Sequence, residues 1–468
     1  MKTSDGRDLT LTPEAIAGLR MRLRGPVLLP DDPGYQECRT LWNAMIDRRP
    51  GLVVRCLGTT DVIACVQFAR EHKLLLCIKC GGHNIAGLAA ADGAMMLDLS
   101  LMRGVWVDPV NKVAHAQGGC QLGDIDRETQ LHGLAAVLGF VSLTGAAGLT
   151  LGGGFGYLTR RFGWTSDNVL GMDVVTADGR LVRASEKENA DLFWGLRGGG
   201  GNFGVVTGID YKVYPVGPEV VGGLVAWPVA EAPKVLELYR TLSEQAPPEL
   251  TLVTLIRPAP PAPWLPAEWH GKPIIGILAC YSGKPEEGER LVAPIKTLGK
   301  PIGDILIRRP YAQLQTLLDA TQPKGRRYYW KSEYLATVTP ELCDRWIAQG
   351  ARIKSPHSAV IFFQLGGALN KLPPDHSPVG NRDARHVLNI AGAWEKPEQD
   401  EENMQWAKDA WNDLKQFSTG GNYINFLTAD ESPERVAAAL GPNSGRLAEV
   451  KRKWDPGNLF RVNRNIAP

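Results

Sequence analysis

A chain of 468 residues, 44% hydrophobic, with 52 basic and 50 acidic side chains and a net charge of +2, has the composition of a globular protein and exceeds what one hydrophobic core usually serves. So even a balance offers no basic stripe for a nucleic-acid partner and fits a small neutral or weakly charged one. The opening Met1-Lys-Thr-Ser-Asp-Gly-Arg-Asp8 lacks the apolar core of a secretory signal, and no window reaches the ~18 apolar residues of a membrane span, so a cytoplasmic protein with no membrane partner is expected.

Thr12 before Pro13-Glu14-Ala15 predicts a capped helix over residues 12–23. From Leu52 the pattern reads strand, then a helix opened by Thr59-Thr60-Asp61, then a strand from Leu74 to Ile78, a βαβ-like opening. That strand runs into Cys80-Gly81-Gly82-His83-Asn84, where missing side chains let the backbone turn sharply or approach a ligand. Cys77 and Cys80 have the two-residue spacing of zinc and redox motifs, but no second pair completes a site, so no metal is expected. The eight scattered cysteines suggest thiols rather than a disulfide framework.

Asp108-Pro-Val-Asn111 marks a turn between β-rich segments, and a helix follows over about 122–131. Between Gly139 and Gly156 stand seven glycines in eighteen residues. Glycine costs about 0.5–1 kcal/mol against alanine inside a helix or strand, so this tract is expected to be a loop system whose exposed amides can cradle phosphate oxygens. Asp178-Gly179 signals a hairpin between 169–176 and 181–184. A helix ending near Leu196 precedes the run Gly198–Gly204 and a strand over 205–214; Pro215 and Pro218 then mark a boundary.

Beyond it, strands such as 251–256, 274–281, 302–308, 360–365 and 387–393 alternate with helices over 230–245, 286–298 and 342–353. This predicts an α+β layer with helices on one face of a sheet and the other face free to cover a site. The proline-rich stretch 258–266 is an extended surface excursion whose Trp264, with Trp269, either rims a pocket or anchors the loop. After a charged helix over 398–417, residues 422–427 are expected to form a short strand with Tyr423 and Asn425 on one face. The last helix covers 444–454.

Gly199-Gly-Gly-Asn-Phe-Gly204 matches a nicotinamide dinucleotide fingerprint as a string, yet it precedes a strand instead of opening a helix. The motif set of residues 74–84, 145–156, Gly163-Trp-Thr-Ser-Asp-Asn168, 191–204, Tyr423-Ile-Asn425 and Trp454 through Asn465 instead resembles the berberine-bridge-enzyme-like branch of the vanillyl-alcohol-oxidase flavoproteins, in family order over about 50–468.

The resemblance implies FAD and an α+β fold with a split FAD-binding domain of the PCMH type, built from 1–217 and 406–468. Residues 218–405 would form a central substrate domain with an antiparallel sheet backed by helices. It implies that His83 bonds covalently to the flavin. Family relatives with a second, cysteinyl link carry their thiol where this chain has Val141, so one tether is expected. Further cofactor contacts are implied for Gly81, Gly82, Asn84, Ser142, Thr144, Gly145, Gly148 and Leu149, and for Gly152, Gly153, Gly154, Asn168, Gly204, Val206, Asn463, Tyr423 and Asn425. Catalysis falls to Tyr423 and Asn425, with Tyr423 taking a proton from substrate as hydride leaves.

An unperturbed phenol is a poor base at neutral pH and needs a helper. Lys331 and Arg382 are candidates by residue type alone, surface exposure being the plain alternative for each. Four residues before Trp394, a position that is polar in some plant relatives is the apolar Ile390. The expected function is oxidation of a secondary alcohol or amine, with dioxygen reduced to hydrogen peroxide. A dehydrogenase slow towards oxygen, with Thr144 near the flavin edge compatible with either, and a non-redox cyclase or binder are the alternatives. Substrate identity and oligomeric state are not written in the sequence.

Overall fold

The computed structural model describes all residues 1–468. Thr12 caps the first helix, Pro13–Met21, by accepting from Ala15 N at 3.2 Å. A first sheet holds β1 (Val27–Leu28), β2 (Leu52–Arg55), β3 (Leu76–Lys79) and β4 (Met95–Asp98) in the order β1-β2-β4-β3. β4 runs parallel to both β2 and β3, so the helix Thr59–Glu71 crosses from β2 to β3 over a strand that arrives later in the chain. In the parallel strands β2, β3 and β4 every apolar residue except half-buried Ile78 is buried, on both faces, as such strands require.

The second sheet contains β5 (Val105–Asp108), β6 (Val113–Gln117), β7 (Leu134–Ala136), β8 (Val169–Val175), β9 (Leu181–Ser185) and β10 (Val205–Pro215). Its order is β5-β6-β10-β8-β9, with β7 on the far end of β10. The Asp178-Gly179 hairpin forms as its residues dictate, closing β8 onto β9 with Thr176 N bonded to Arg180 O at 2.9 Å. Within the glycine tract the expectation of a continuous loop fails: Ala146–Leu151 is a short helix. Only Gly148 interrupts it, and two alanines, two leucines and a threonine supply the remaining positions.

The third sheet is antiparallel, with β11 (Glu219–Pro228), β12 (Leu250–Pro258), β13 (Pro273–Tyr281), β14 (Gly303–Asp304), β15 (Ile307–Pro310), β16 (Arg327–Leu335), β17 (Ala359–Gln364) and β18 (His386–Trp394). The order is β14-β11-β13-β12-β17-β18-β16, and β15 also pairs with β11. The strand expected over 302–308 is split into β14 and β15 around Ile305 and Leu306. Helices Ala232–Gln245, Pro285–Thr297, Pro340–Gly350 and Asp400–Leu414 bury Val235, Tyr239, Ile295, Trp346, Trp406 and Leu414 on one face. The opposite face carries Val253, Leu278, Phe363 and Val387 into contact with Phe155, Trp164 and Tyr423. Trp264 and Trp269 anchor their loop against Ala259, Leu265 and Ile274.

Helix Asp400–Leu414 spans the expected junction at 405 and packs on the central sheet through Trp406, Ala407, Ala410 and Leu414. Beyond it the chain returns: Leu447 and Val450 of the helix Ser444–Trp454 join the core of the second sheet. Fully buried Lys451 donates to Asn202 O at 2.8 Å, Phe460 O at 2.9 Å and Asp455 Oδ2 at 2.7 Å, fastening the C-terminal segment to the 198–204 run.

Candidate active site

Gly82, at φ +69°, turns the chain after β3, and a side chain on Gly81 would lie 2.5 Å from Gly145 N. Two glycines therefore let the loop bearing His83 pack backbone to backbone on the start of the glycine tract. Cys80 lies under this contact with Sγ bonded to Cys120 O at 3.8 Å, while Cys77 is buried in its strand. His83 is half-buried and stacks on Trp42 at 4.9 Å; Trp42 stacks in turn on Tyr328 of β16 at 3.7 Å. Buried Asn43 holds that stack, donating to Ile85 O and Tyr328 O and accepting from Tyr328 N. Burial pushes the His83 pKa down to about 4, leaving a neutral imidazole whose nitrogens make no hydrogen bond in the protein.

Tyr423 and Asn425 meet, though not on a strand. Ile424–Phe426 is a single 3₁₀ turn, which brings the Asn425 side chain back towards the residue two before it. Asn425 Nδ2 donates to the Tyr423 oxygen at 2.8 Å and to Leu149 O at 3.2 Å, and Gly154 N donates to the same phenol oxygen at 3.2 Å. The Asn425 amide occupies the space where a side chain on Gly152 would stand, and the Gly153 backbone runs against Val379. Burial raises the Tyr423 pKa, and the two donated bonds act in the opposite direction without cancelling it. They occupy the oxygen as acceptor; the phenol proton has no acceptor in the protein.

Neither proposed helper is that donor, and neither is exposed. Lys331 is buried in an ion pair with Glu431 at 2.6 Å on the helix-covered side of β16, and buried Arg382 binds both Asp167 oxygens at 2.7 and 2.9 Å. Each was readable only as a residue type; its partner lies 100 or more positions away in the chain.

Facing Tyr423 is an aromatic wall. Phe426 meets Tyr423 at 4.9 Å and Trp330 at 5.0 Å edge-on, and Trp330 meets Trp42 at 5.6 Å. Ile390 does not contribute: its side chain packs with Leu388 among the helices. Alternation along β18 sends its neighbour Asn389 to the site face, in register with Ser332 of β16 and Ile361 of β17. Asn389 Oδ1, Ser332 Oγ and Trp330 Nε1 are buried there without a hydrogen-bond partner. Such groups are costly unless something pairs with them. No motif marks any of the three; period-two alternation anchored on apolar Leu388 and Ile390 is the signal that finds Asn389.

The other implied cofactor contacts fall into two groups. Gly81, Gly145, Leu149, Gly152, Gly154, Tyr423 and Asn425 converge as described. Thr144 lies beside the Gly81 contact, and Gly148 has nothing within 4 Å of where a side chain would stand. Asn463 reaches the same region: its Nδ2 donates to Gly201 O, and Gly200 N donates to Leu151 O. Asn463 Oδ1 is buried and unpartnered.

The remaining side chains are engaged elsewhere. Asn84 Oδ1 accepts from Ala86 N and Leu88 N in its own loop. Ser142 gives its amide and hydroxyl to Asp319. Asn168 donates to Phe162 O and Trp164 O and accepts from Tyr214. Gly204 is packed against β8, and Val206 lies in the core of the second sheet. An open glycine face, close-packed glycine loops and an unpartnered amide oxygen fit a large cofactor with phosphates.

Comparison with known proteins gives the same picture. The family described as FAD binding domain matches residues 50–185, and the family described as berberine and berberine like matches 422–467. The (R)-6-hydroxynicotine oxidase of Paenarthrobacter nicotinovorans is 30% identical over 96% of this chain and 98% of its own. The FAD-linked oxidoreductase pgmH of Aspergillus terreus is 35% identical over 96% of this chain and 95% of its own. The crystal structure of 6-hydroxy-D-nicotine oxidase from Arthrobacter nicotinovorans superimposes with a TM-score of 0.85 at 29% identity, covering 95% of this chain and 98% of that one.

Proposed function

The chain belongs to the berberine-bridge-enzyme-like FAD-linked oxidoreductases, and from that premise we propose that it is an oxidase of a secondary alcohol or amine carried on a ring. FAD, held by the backbone of 81–84 and 144–148 and the Asn463 amide, would supply a hydride acceptor for the substrate carbon and a route for that electron pair to dioxygen, with hydrogen peroxide as the product. The observation that carries the reading is Tyr423: its oxygen receives two hydrogen bonds amid a cluster of aromatic rings that includes Phe155, Trp164 and Phe426. Those bonds orient the phenol and stabilise its anion, so that Tyr423 removes the proton of the substrate hydroxyl or ammonium. Asn425 and Gly154 N position it.

Trp330 and Phe426 take the substrate ring, and Ser332 Oγ, Asn389 Oδ1 and Trp330 Nε1 take its polar substituents, which removes the cost of leaving them unpaired. His83 is proposed as the sole covalent tether; its neutral imidazole is nucleophilic at physiological pH, and Val141 offers no thiol. The backbone of 81–84 and 144–148 and the Asn463 amide hold the cofactor, within an FAD-binding unit made of 1–217 and the segment after the central region, which includes the helix Asp400–Leu414. The named relative's nicotine substrate supports a nitrogenous ring as one class to test. Anaerobic titration of the FAD-loaded protein with cyclic secondary alcohols and amines should bleach the yellow absorbance for at least one class. Failure of every such compound, with the flavin still reducible by dithionite, would sink the proposal.

A further inference from the structure

Away from Tyr423 and its aromatic neighbours, a cavity of about 290 Å³ opens where the helix Ala232–Gln245 meets the ends of β16 and β17 and the start of β18. Its walls include Arg160, Arg240, Arg385 and His386, against one acid, Glu244. None of the three guanidinium groups lies within salt-bridge distance of a carboxylate. Arg160 is buried and donates to Leu250 O at 2.8 Å, Leu365 O at 2.6 Å and Ala246 O at 2.9 Å, so only carbonyl dipoles answer its charge. Arg240 commits only Nε, to Val338 O, and exposed Arg385 makes no side-chain bond.

His386 is 6% exposed, and its Nδ1 pairs with buried Tyr239 at 3.1 Å. A tyrosine hydroxyl donating to Nδ1 leaves the hydrogen on Nε2, which has no partner in the protein. The cavity thus presents three guanidinium groups and an N–H donor against a single carboxylate.

We propose that this cavity is a binding site for a small polyanionic metabolite, a phosphate monoester or a di- or tricarboxylate, held by Arg240, Arg385 and His386 with the Arg160 charge behind them. The guanidinium forks suit a planar or tetrahedral oxyanion, and the volume admits an organic body as well as the anionic group. The site is independent of the flavin chemistry.

The test is thermal unfolding of the FAD-loaded chain at fixed ionic strength with inorganic phosphate, glycerol phosphate or citrate, each against chloride. A ligand of the native state raises Tm in a saturable way. At least one of the three should do so, and Arg240→Ala and Arg385→Ala should each raise the half-saturating concentration by about tenfold or more. Arg308→Ala, at a residue that is paired with Glu286 and Glu289 and does not line the cavity, should not. The ligand class is read from which anion saturates first: phosphate alone, the ester, or citrate. No saturable shift, a shift equalled by chloride, or unchanged half-saturation in both variants would overturn the proposal. Because the exposed Arg385 holds no structural bond, its variant keeps the test valid even if Arg240→Ala unfolds.

Discussion

Tyr423 combines an oxygen that accepts two hydrogen bonds with a burial that disfavours its anion. Its pKa is raised, so the phenolate fraction is small at neutral pH and grows as pH rises. If Tyr423 is the base, the rate of flavin reduction should climb with pH up to and beyond the ordinary tyrosine range. Tyr423→Phe should slow that step by about 10²–10⁴-fold and flatten the profile while FAD absorbance persists. A variant retaining both rate and profile moves the proton elsewhere. His83 gives a second test at this scale. Acid precipitation should leave the yellow colour in the pellet of the native protein and release it to the supernatant for His83→Ala; native protein that loses all its colour contradicts the tether.

At the scale of elements, strand parity decides what the substrate meets. A polar position sought four residues before Trp394 falls on Ile390, which turns into the helix-backed core, while Asn389 next door points to the site. Continuous apolar runs made the strands β12, β13, β17 and β18 legible. They gave no warning of β16, where Lys331 and Glu333 look solvent-facing and are instead paired inside with Glu431 and Arg435. The Tyr-x-Asn segment suggested a strand by period-two alternation, yet a 3₁₀ turn makes the Asn425 to Tyr423 contact that a strand would not. The C-terminal helix rests on a buried charge: Lys451→Met leaves the Asp455 carboxylate with only the Leu459 and Phe460 amides to answer it and abolishes two bonds to backbone carbonyls. A loss of about 3–5 kcal/mol in chemical denaturation is expected. A loss under 1 kcal/mol would show that the clamp is dispensable.

Across the whole molecule, many strands were readable from local apolar runs and turn residues, whereas β7, β11 and β16 were not, and neither was the aromatic cluster around Tyr423, because its members come from chain segments up to several hundred residues apart. The turn before His83 and the close approach of the glycine loops were legible because close backbone approach and a turn at positive φ demand glycine locally, whereas the role given to His83 came from the family resemblance. Trp42, Ser332 and Asn389 were not legible, since nothing local separates a site-facing side chain from a core one.

The junction between the two halves carries its own titration. Buried Asp126 accepts from Gln315 across it at 3.0 Å, its other oxygen is unpartnered, and burial pushes its pKa up to about 7. An unfolded aspartate ionises near 3.9, so the cost of the buried charge is absent at low pH and grows as pH rises from about 4 to above 7. Asp126→Asn should therefore stabilise the protein at pH 8 by about 2–4 kcal/mol relative to its effect at pH 4, read from paired unfolding curves. An effect independent of pH would contradict the assignment.

The oxidase assignment meets its most direct test when substrate-reduced protein is mixed with air-saturated buffer in a stopped-flow cell. Rapid return of the oxidised flavin spectrum, with one hydrogen peroxide formed for each substrate oxidised, is the predicted result. Slow reoxidation without stoichiometric peroxide would contradict it.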